Sequence, residues 1–210
     1  MLTLITKYLG LGALVLMFSV AAPAHADETP DQLTRKTTED VMAILKKDGD
    51  IRNGNLEKAY ALIEAKILPH FDFDNMTQSA VGKYWGRATP AQKQQLVKAF
   101  KSLLVRIYAT SLTAFSNQEV VFKPFLMNPG DTDVSVRTEV RQAGNVPPVP
   151  INYSFYKTPF GWKVYDVSVD GVSLVGNYRA RFSKTIKDAG IDGLIKSMNS
   201  QAAQAAKAGK

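Results

Sequence analysis

The chain contains no cysteine, and its only two histidines are His25 and His70. Without thiols there can be no disulfide and no thiol chemistry. Without a His-x-x-x-His spacing or a cysteine partner, a transition-metal site has no ligand set to start from. No glycine-rich phosphate loop occurs, Ser173 stands outside any G-x-S-x-G frame, and no twin arginine is found near the start. The leading apolar stretch, residues 9–20, is twelve residues long, short of the ~20 that a membrane-spanning helix needs. These absences remove most of the usual catalytic and membrane-spanning equipment.

What the N-terminus does contain is a set of export signals. Lys7 precedes the uncharged stretch, and Ala24-His25-Ala26 forms an A-x-A cleavage signal, so residues 1–26 are expected to be a secretory signal peptide. No cysteine follows Ala26, so no lipoprotein anchor is expected. Cleavage would remove one lysine and no acid, leaving 184 residues with 25 Lys and Arg against 19 Asp and Glu, a net charge of +6. A basic, exported, cysteine-free protein is expected in a bacterial periplasm, as a monomer. Its charge alone would suit an anionic surface or nucleic acid, but export argues against a nucleic-acid partner.

Residues 27–199 are expected to form one domain, with a disordered tail at 200–210. Leu33, Val41, Ile44 and Leu45 predict an amphipathic helix over 31–47, and Leu56, Tyr60, Ile63 and Ile67 a second over 56–68, which Pro69 ends. Phe71, Phe73, Met76, Val81, Tyr84 and Trp85 crowd the next fifteen residues and require a partner surface. Thr89-Pro90-Ala91-Gln92 is a capping box. The helix it opens runs to about Phe115 and carries Leu96, Phe100, Leu103, Leu104, Ile107, Tyr108, Leu112 and Phe115 at helical spacing.

Beyond Asn117 the period changes to two. Strands are predicted over 119–122, 133–141, 149–157 and 162–169, forming an antiparallel meander. In the last of these both alternation sets are apolar, with Trp162 and Val164 on one and Tyr165, Val167 and Val169 on the other, so the strand has little face left for water. A helix over about 173–188 and a shorter one from Asp192 complete the chain. The fold class is α+β, with helices gathered on one twisted antiparallel sheet of four to five strands.

Candidate chemical groups are few. His70 reads as a loop residue after Pro69, or as a ligand or base. Asp72 or Asp74 suits a helix cap, and Ser173 a helix N-cap. Asp166 falls mid-strand, where a charge is costly unless paired. Arg179 or Arg181 could pair with it, or it could serve as the general base of a small α+β enzyme acting on a lipophilic substrate. A filled-core periplasmic adaptor that binds only proteins is a further reading.

Several blocks in order carry a resemblance. They are Pro69-His70-Phe71-Asp72-Phe73 with Met76, Gly82-Lys83-Tyr84-Trp85, Thr89-Pro90 with Gln92, Phe100, Leu104 and Tyr108, residues 161–167 (GWKVYDV), Gly171-Val172-Ser173-Leu174, and Asn177-Tyr178-Arg179 with Phe182. Across residues 31–198 the chain resembles the MlaC family, the toluene-tolerance auxiliary proteins. The resemblance implies a periplasmic phospholipid carrier without enzymatic activity or cofactor. Such a carrier passes glycerophospholipid between an outer-membrane lipoprotein complex and the substrate-binding subunit of an inner-membrane ABC transporter, maintaining outer-membrane asymmetry. It further implies acyl chains held between helices and sheet, with the head group at the mouth.

On that basis the apolar stripes are expected to line a lipid pocket. The expected lining is Leu103, Leu104, Ile107 and Tyr108 from the long helix and Val134, Val136, Ile151, Tyr153, Phe155, Val167 and Val169 from the sheet. Leu174, Val175 and Tyr178 are expected to join them from the final helical region. Lys83, Arg87, Arg179 and Arg181 are candidates for the mouth or for docking to acidic partners.

Overall fold

The structure is a computed structural model, and it describes residues 28–114, 118–142, 144 and 146–208. The expected signal peptide lies outside the described residues, as does the expected end of the long helix at Phe115. Helix α1 is Pro30–Lys47, α2 Gly49–Arg52 and α3 Leu56–Leu62. The chain then passes through a π-helical turn, Ile63–Ile67, and a 3-10 turn, Leu68–His70, into α4, Phe73–Val81. Pro69 ends the preceding helix, as its missing N–H requires. Asp72 caps α4, its Oδ1 accepting from Asn75 N at 2.9 Å. Helix α5 is Pro90–Thr113, opened by the reciprocal Thr89–Gln92 pair with bonds of 3.2 and 3.0 Å.

The sheet follows as β1 Glu119–Phe122, β2 Asp133–Arg141, β3 Val149–Thr158, β4 Gly161–Val169 and β5 Val172–Ser173, all antiparallel and in sequence order. A bulge resolves the double alternation of β4. Ser154 pairs with Asp166 but Phe155 with Val164, so two residues of β4 oppose one of β3 and the pleat reverses at Tyr165. Val164 and Val167 consequently share one face with Phe155 and Tyr153, packing in one cluster with Leu33, Val136 and Trp162. Tyr165 turns to the other face, where its hydroxyl donates to Asp133 and its ring meets Tyr156 edge-on. The main chain at Phe71 and Asp72 extends the sheet along β4, with a parallel bridge from Phe71 to Val164 and a bond from Asp72 N to Val164 O of 2.9 Å.

Helix α6, Leu174–Ala208, is two helices meeting at Gly190, whose φ of 72° is open to glycine at little cost. The expectation of a disordered tail is corrected here, since residues 200–208 are helical. Leu194, Met198 and Ala202 continue one stripe into the helical core, with Ala202 only 3% exposed, and the Ala- and Gln-rich composition favours helix. That core joins α4, α5 and α6 through Met76, Val81, Leu96, Phe100, Leu103, Phe182, Ile186 and their neighbours. A second cluster ties α1 and α3 to the opposite side of α5 through Val41, Leu45, Tyr60, Ile63, Val105 and Ala109. Among the described residues, no helix is long and apolar enough to cross a membrane.

Candidate functional site

Helix α1 lies across the inner face of the sheet, held at its N-terminal end by Leu33 and at its C-terminal end by Val41 and Leu45. Between these anchors the helix and sheet do not close on each other. A cavity of about 230 Å³ remains. Its roof is Leu33, Thr34, Thr37, Thr38, Val41, Met42 and Leu45, the i, i+3, i+4 stripe of α1. Its floor is Val120 of β1, Val140 of β2, Ile151, Tyr153 and Phe155 of β3, and Val164 of β4. Ile67, His70, Phe71 and Leu112 make up the sides. The floor is continuous because the bulge puts Val164 on the same face as Phe155.

Ile151, Tyr153 and Phe155 are thus the expected lining residues that the structure brings to the cavity. Val134, Val136 and Val167 belong to the same sheet face but pack in the cluster beside it, and Val169 at the strand end is 39% exposed. The other expected residues stand elsewhere. Leu103, Leu104, Val175 and Tyr178 are enclosed in the α4–α5–α6 core, Ile107 and Leu174 pack on its margin, and Tyr108 is 44% exposed. The reason is that the stripe of α5 already has a partner in α6, where Phe100 meets Tyr178 and Phe182 edge-on at 5.0 and 5.2 Å. The α1 stripe was visible as amphipathic, yet nothing in its spacing distinguishes a roof over a cavity from ordinary core packing.

The charged candidates also take defined places. Lys83 and Arg87 stand over the Tyr84 ring, and Arg181 over that of Tyr178. Arg179 lies against Gly82, so closely that a Cβ there would meet its Nε at 2.9 Å. None of the four borders the cavity. The described ion pairs of the chain do not include Asp166. Its Oδ1 accepts from Val167 N and Val175 N at 2.8 and 3.0 Å, and its Oδ2 accepts from the Ser173 hydroxyl. Ser173 in turn accepts from Gly176 N at 2.9 Å, the N-cap its position suggested. Asp166 therefore fastens β4 to the start of α6, where an arginine partner was expected. Among the described residues no group of three His, Cys, Asp or Glu could hold a metal ion.

Two titratable groups line the cavity. Burial pushes the Tyr153 phenol up, opposed by a hydrogen bond with Thr138. Burial pushes the His70 imidazole down from its ordinary 6.5, with Lys163 and Lys36 adding repulsion and Glu28 opposing them. Below about pH 6.5 the unfolded chain then takes up a proton that the folded chain refuses. The stability contributed by neutral His70 is complete above that pH and declines as pH falls toward the depressed folded value. Urea midpoints should therefore drop further between about pH 7 and 5 in the wild type than in His70→Gln; parallel profiles would show that His70 is not the group responsible.

Fold and site together describe an α+β protein that keeps a largely apolar chamber between one helix and one face of a meander. A family model described as MlaC protein matches residues 35–200, and the chain belongs to that family. It is 28% identical over 198 residues to the toluene tolerance protein ttg2D of Pseudomonas putida, covering 94% of this chain and 91% of that one. With the Haemophilus influenzae intermembrane phospholipid transport system binding protein MlaC it shares 23% identity over 189 residues, covering 89% and 88%. The crystallised phospholipid-binding protein of Ralstonia solanacearum, in complex with a phospholipid, superposes with a TM-score of 0.78 at 42% identity, covering 86% of this chain and 99% of that one.

Proposed function

We propose that the protein is a periplasmic phospholipid carrier whose acyl-chain chamber is the space between α1 and the sheet. The observation that carries this reading is that the cavity wall is mostly aliphatic and aromatic and is drawn from α1, the 67–71 segment, α5 and the sheet. The complex formed by the Ralstonia protein supports it. The energetics set the design. Two acyl chains hold roughly thirty methylenes, and at ~0.8 kcal/mol each their exposure to water costs about 24 kcal/mol. A carrier must enclose them in transit and exchange them through closed contact with a partner.

The partners in this reading are an outer-membrane lipoprotein complex and the substrate-binding subunit of an inner-membrane ABC transporter, and the work done is upkeep of outer-membrane lipid asymmetry. The cavity is smaller than the ~300–1,000 Å³ usual for ligand pockets. Holding two chains therefore requires more room than this conformation leaves between α1 and the sheet. Native mass spectrometry of protein purified without detergent tests the reading. It should show intact diacyl phospholipid bound to the folded chain, whereas folded protein that remains lipid-free after incubation with phospholipid vesicles would refute it.

A further inference from the structure

The excess positive charge of the chain belongs to one part of the fold. The 3-10 turn Gly82–Arg87, α5 and α6 together carry twelve Lys and Arg against two acids, Asp188 and Asp192, a net charge of +10. Residues 28–81 and 118–173, which supply α1 to α4 and the sheet, carry twelve bases against sixteen acids, a net charge of −4. A basic isoelectric point alone does not require this separation; it is a property of where the helices place their charges.

Six of the bases form a connected band. Lys83 and Arg87 stand over the Tyr84 ring, and Arg179 lies against Gly82 beside them. Arg181 follows, held over Tyr178, and Lys184 and Lys187 repeat at intervals of three along α6, turned away from the buried stripe of Phe182 and Ile186. All six are exposed. Among the described residues, the one ion pair in the band joins Lys184 to Asp188 at 2.8 Å. Lys83, Arg87 and Arg181 are steadied by aromatic rings rather than by carboxylates, so their charge is positioned without being cancelled.

The same surface is poor in apolar anchors. Among the described residues the exposed large hydrophobic side chains stand on loops and strand ends, such as Leu126, Phe160 and Val172, and only Tyr108 belongs to α5 or α6. A protein partner draws most of its affinity from buried aromatic and aliphatic anchors, which this band does not offer. A bilayer containing anionic lipid needs none, because its surface potential attracts every base that comes within a Debye length. We propose that the band from Lys83 to Lys187 is a docking face for an anionic bilayer surface, held by charge, reversible and without insertion into the hydrocarbon. None of the six residues borders the cavity, so docking does not occupy the chamber. The proposal goes beyond the carrier reading and does not depend on it.

Flotation of the mature protein with vesicles of phosphatidylglycerol mixed into phosphatidylcholine, against vesicles of phosphatidylcholine alone, tests this. The wild type should float with the anionic vesicles at low salt, stay behind with the neutral ones, and be released by about 0.5 M sodium chloride. The triple variant Arg181→Gln, Lys184→Gln, Lys187→Gln should partition more than about tenfold less. Lys46→Gln, Lys47→Gln, Arg52→Gln removes as much charge from exposed positions on α1 and α2, and it should stay within about twofold of the wild type. Thermal melts establish that both variants fold. Equal losses in the two triple variants would show that net charge and not the band is responsible, and equal flotation with neutral vesicles would show that charge is not the attraction; either overturns the proposal. A wild type that ignores anionic vesicles but is retained on immobilised polyglutamate through Arg181, Lys184 and Lys187 overturns it in favour of an acidic protein. Phospholipid carried by the protein left unbound is measured in the same samples: uptake without flotation overturns the docking face and leaves the carrier reading intact, whereas salt-sensitive flotation without uptake supports the face and counts against the carrier.

Discussion

Phe100→Ala is expected to lower the unfolding free energy by about 3–5 kcal/mol without changing the lipid bound per folded chain. Phe100 is wholly buried, and its ring is clasped by Tyr178 and Phe182 at the centre of the α4–α5–α6 core. Removing it opens a void bounded by rigid helices, which collapse only in part. That void is on the far side of α5 from the cavity, whose roof and floor come from α1 and the sheet. Denaturant titration and lipid extraction from the same preparation separate the two effects. Lipid loss in the fraction that remains folded would place acyl chains among α5 and α6.

The opposite pattern is expected of Val140→Trp combined with Ile151→Trp. Both side chains point into the cavity from neighbouring strands and are only half-buried. Because Val140 pairs with Val149 and Ile151 with Thr138, the two positions are diagonal neighbours on one face. Two indoles there would occupy much of the space between α1 and the sheet. Bound lipid should fall by more than about tenfold, equivalent to ~1.4 kcal/mol of lost affinity. Overpacking should cost about 1–3 kcal/mol of stability, small enough for the variant to stay folded. Normal lipid content in that variant would show that the cavity is not the container.

Most of the architecture is legible in local sequence, because caps and periods are local signals. Thr89 with Gln92 announces α5, Pro69 ends the second helical segment, and the alternation from Val134 to Val140 and from Ile151 to Phe155 marks β2 and β3. The bulge at Tyr165 is not legible, since it depends on the partner strand, and before it is known Val164 and Val167 fall on opposite faces. The partners of Asp166 are not legible for a related reason. Its partners are the backbone N–H groups of Val167 and Val175 and the Ser173 hydroxyl, which become neighbours only once the chain turns at Asp170 and Gly171. Helicity beyond Ser200 was missed because Ala202 is a small residue that contributes to a core only where Met198 has already opened the way.

The cavity was the least legible feature. Periodicity shows which face of a helix is apolar but not what covers it, and the stripes of α1 and α5 are equivalent by that measure. In the structure α5 is covered on both sides, by α6 and by α3, whereas α1 is separated from the sheet between its two anchors. That His70 borders the cavity opposite α1 is likewise set by tertiary docking and not by any local signal around Pro69.

The central claim is where the hydrocarbon goes. Photo-crosslinking with a phospholipid carrying a diazirine near the end of an acyl chain, followed by peptide mapping, tests it most directly. Label should fall on α1 between Leu33 and Leu45 and on the strand residues Val140, Ile151, Tyr153 and Phe155. Label concentrated instead on Leu103, Leu104, Val175 and Tyr178 would contradict the account.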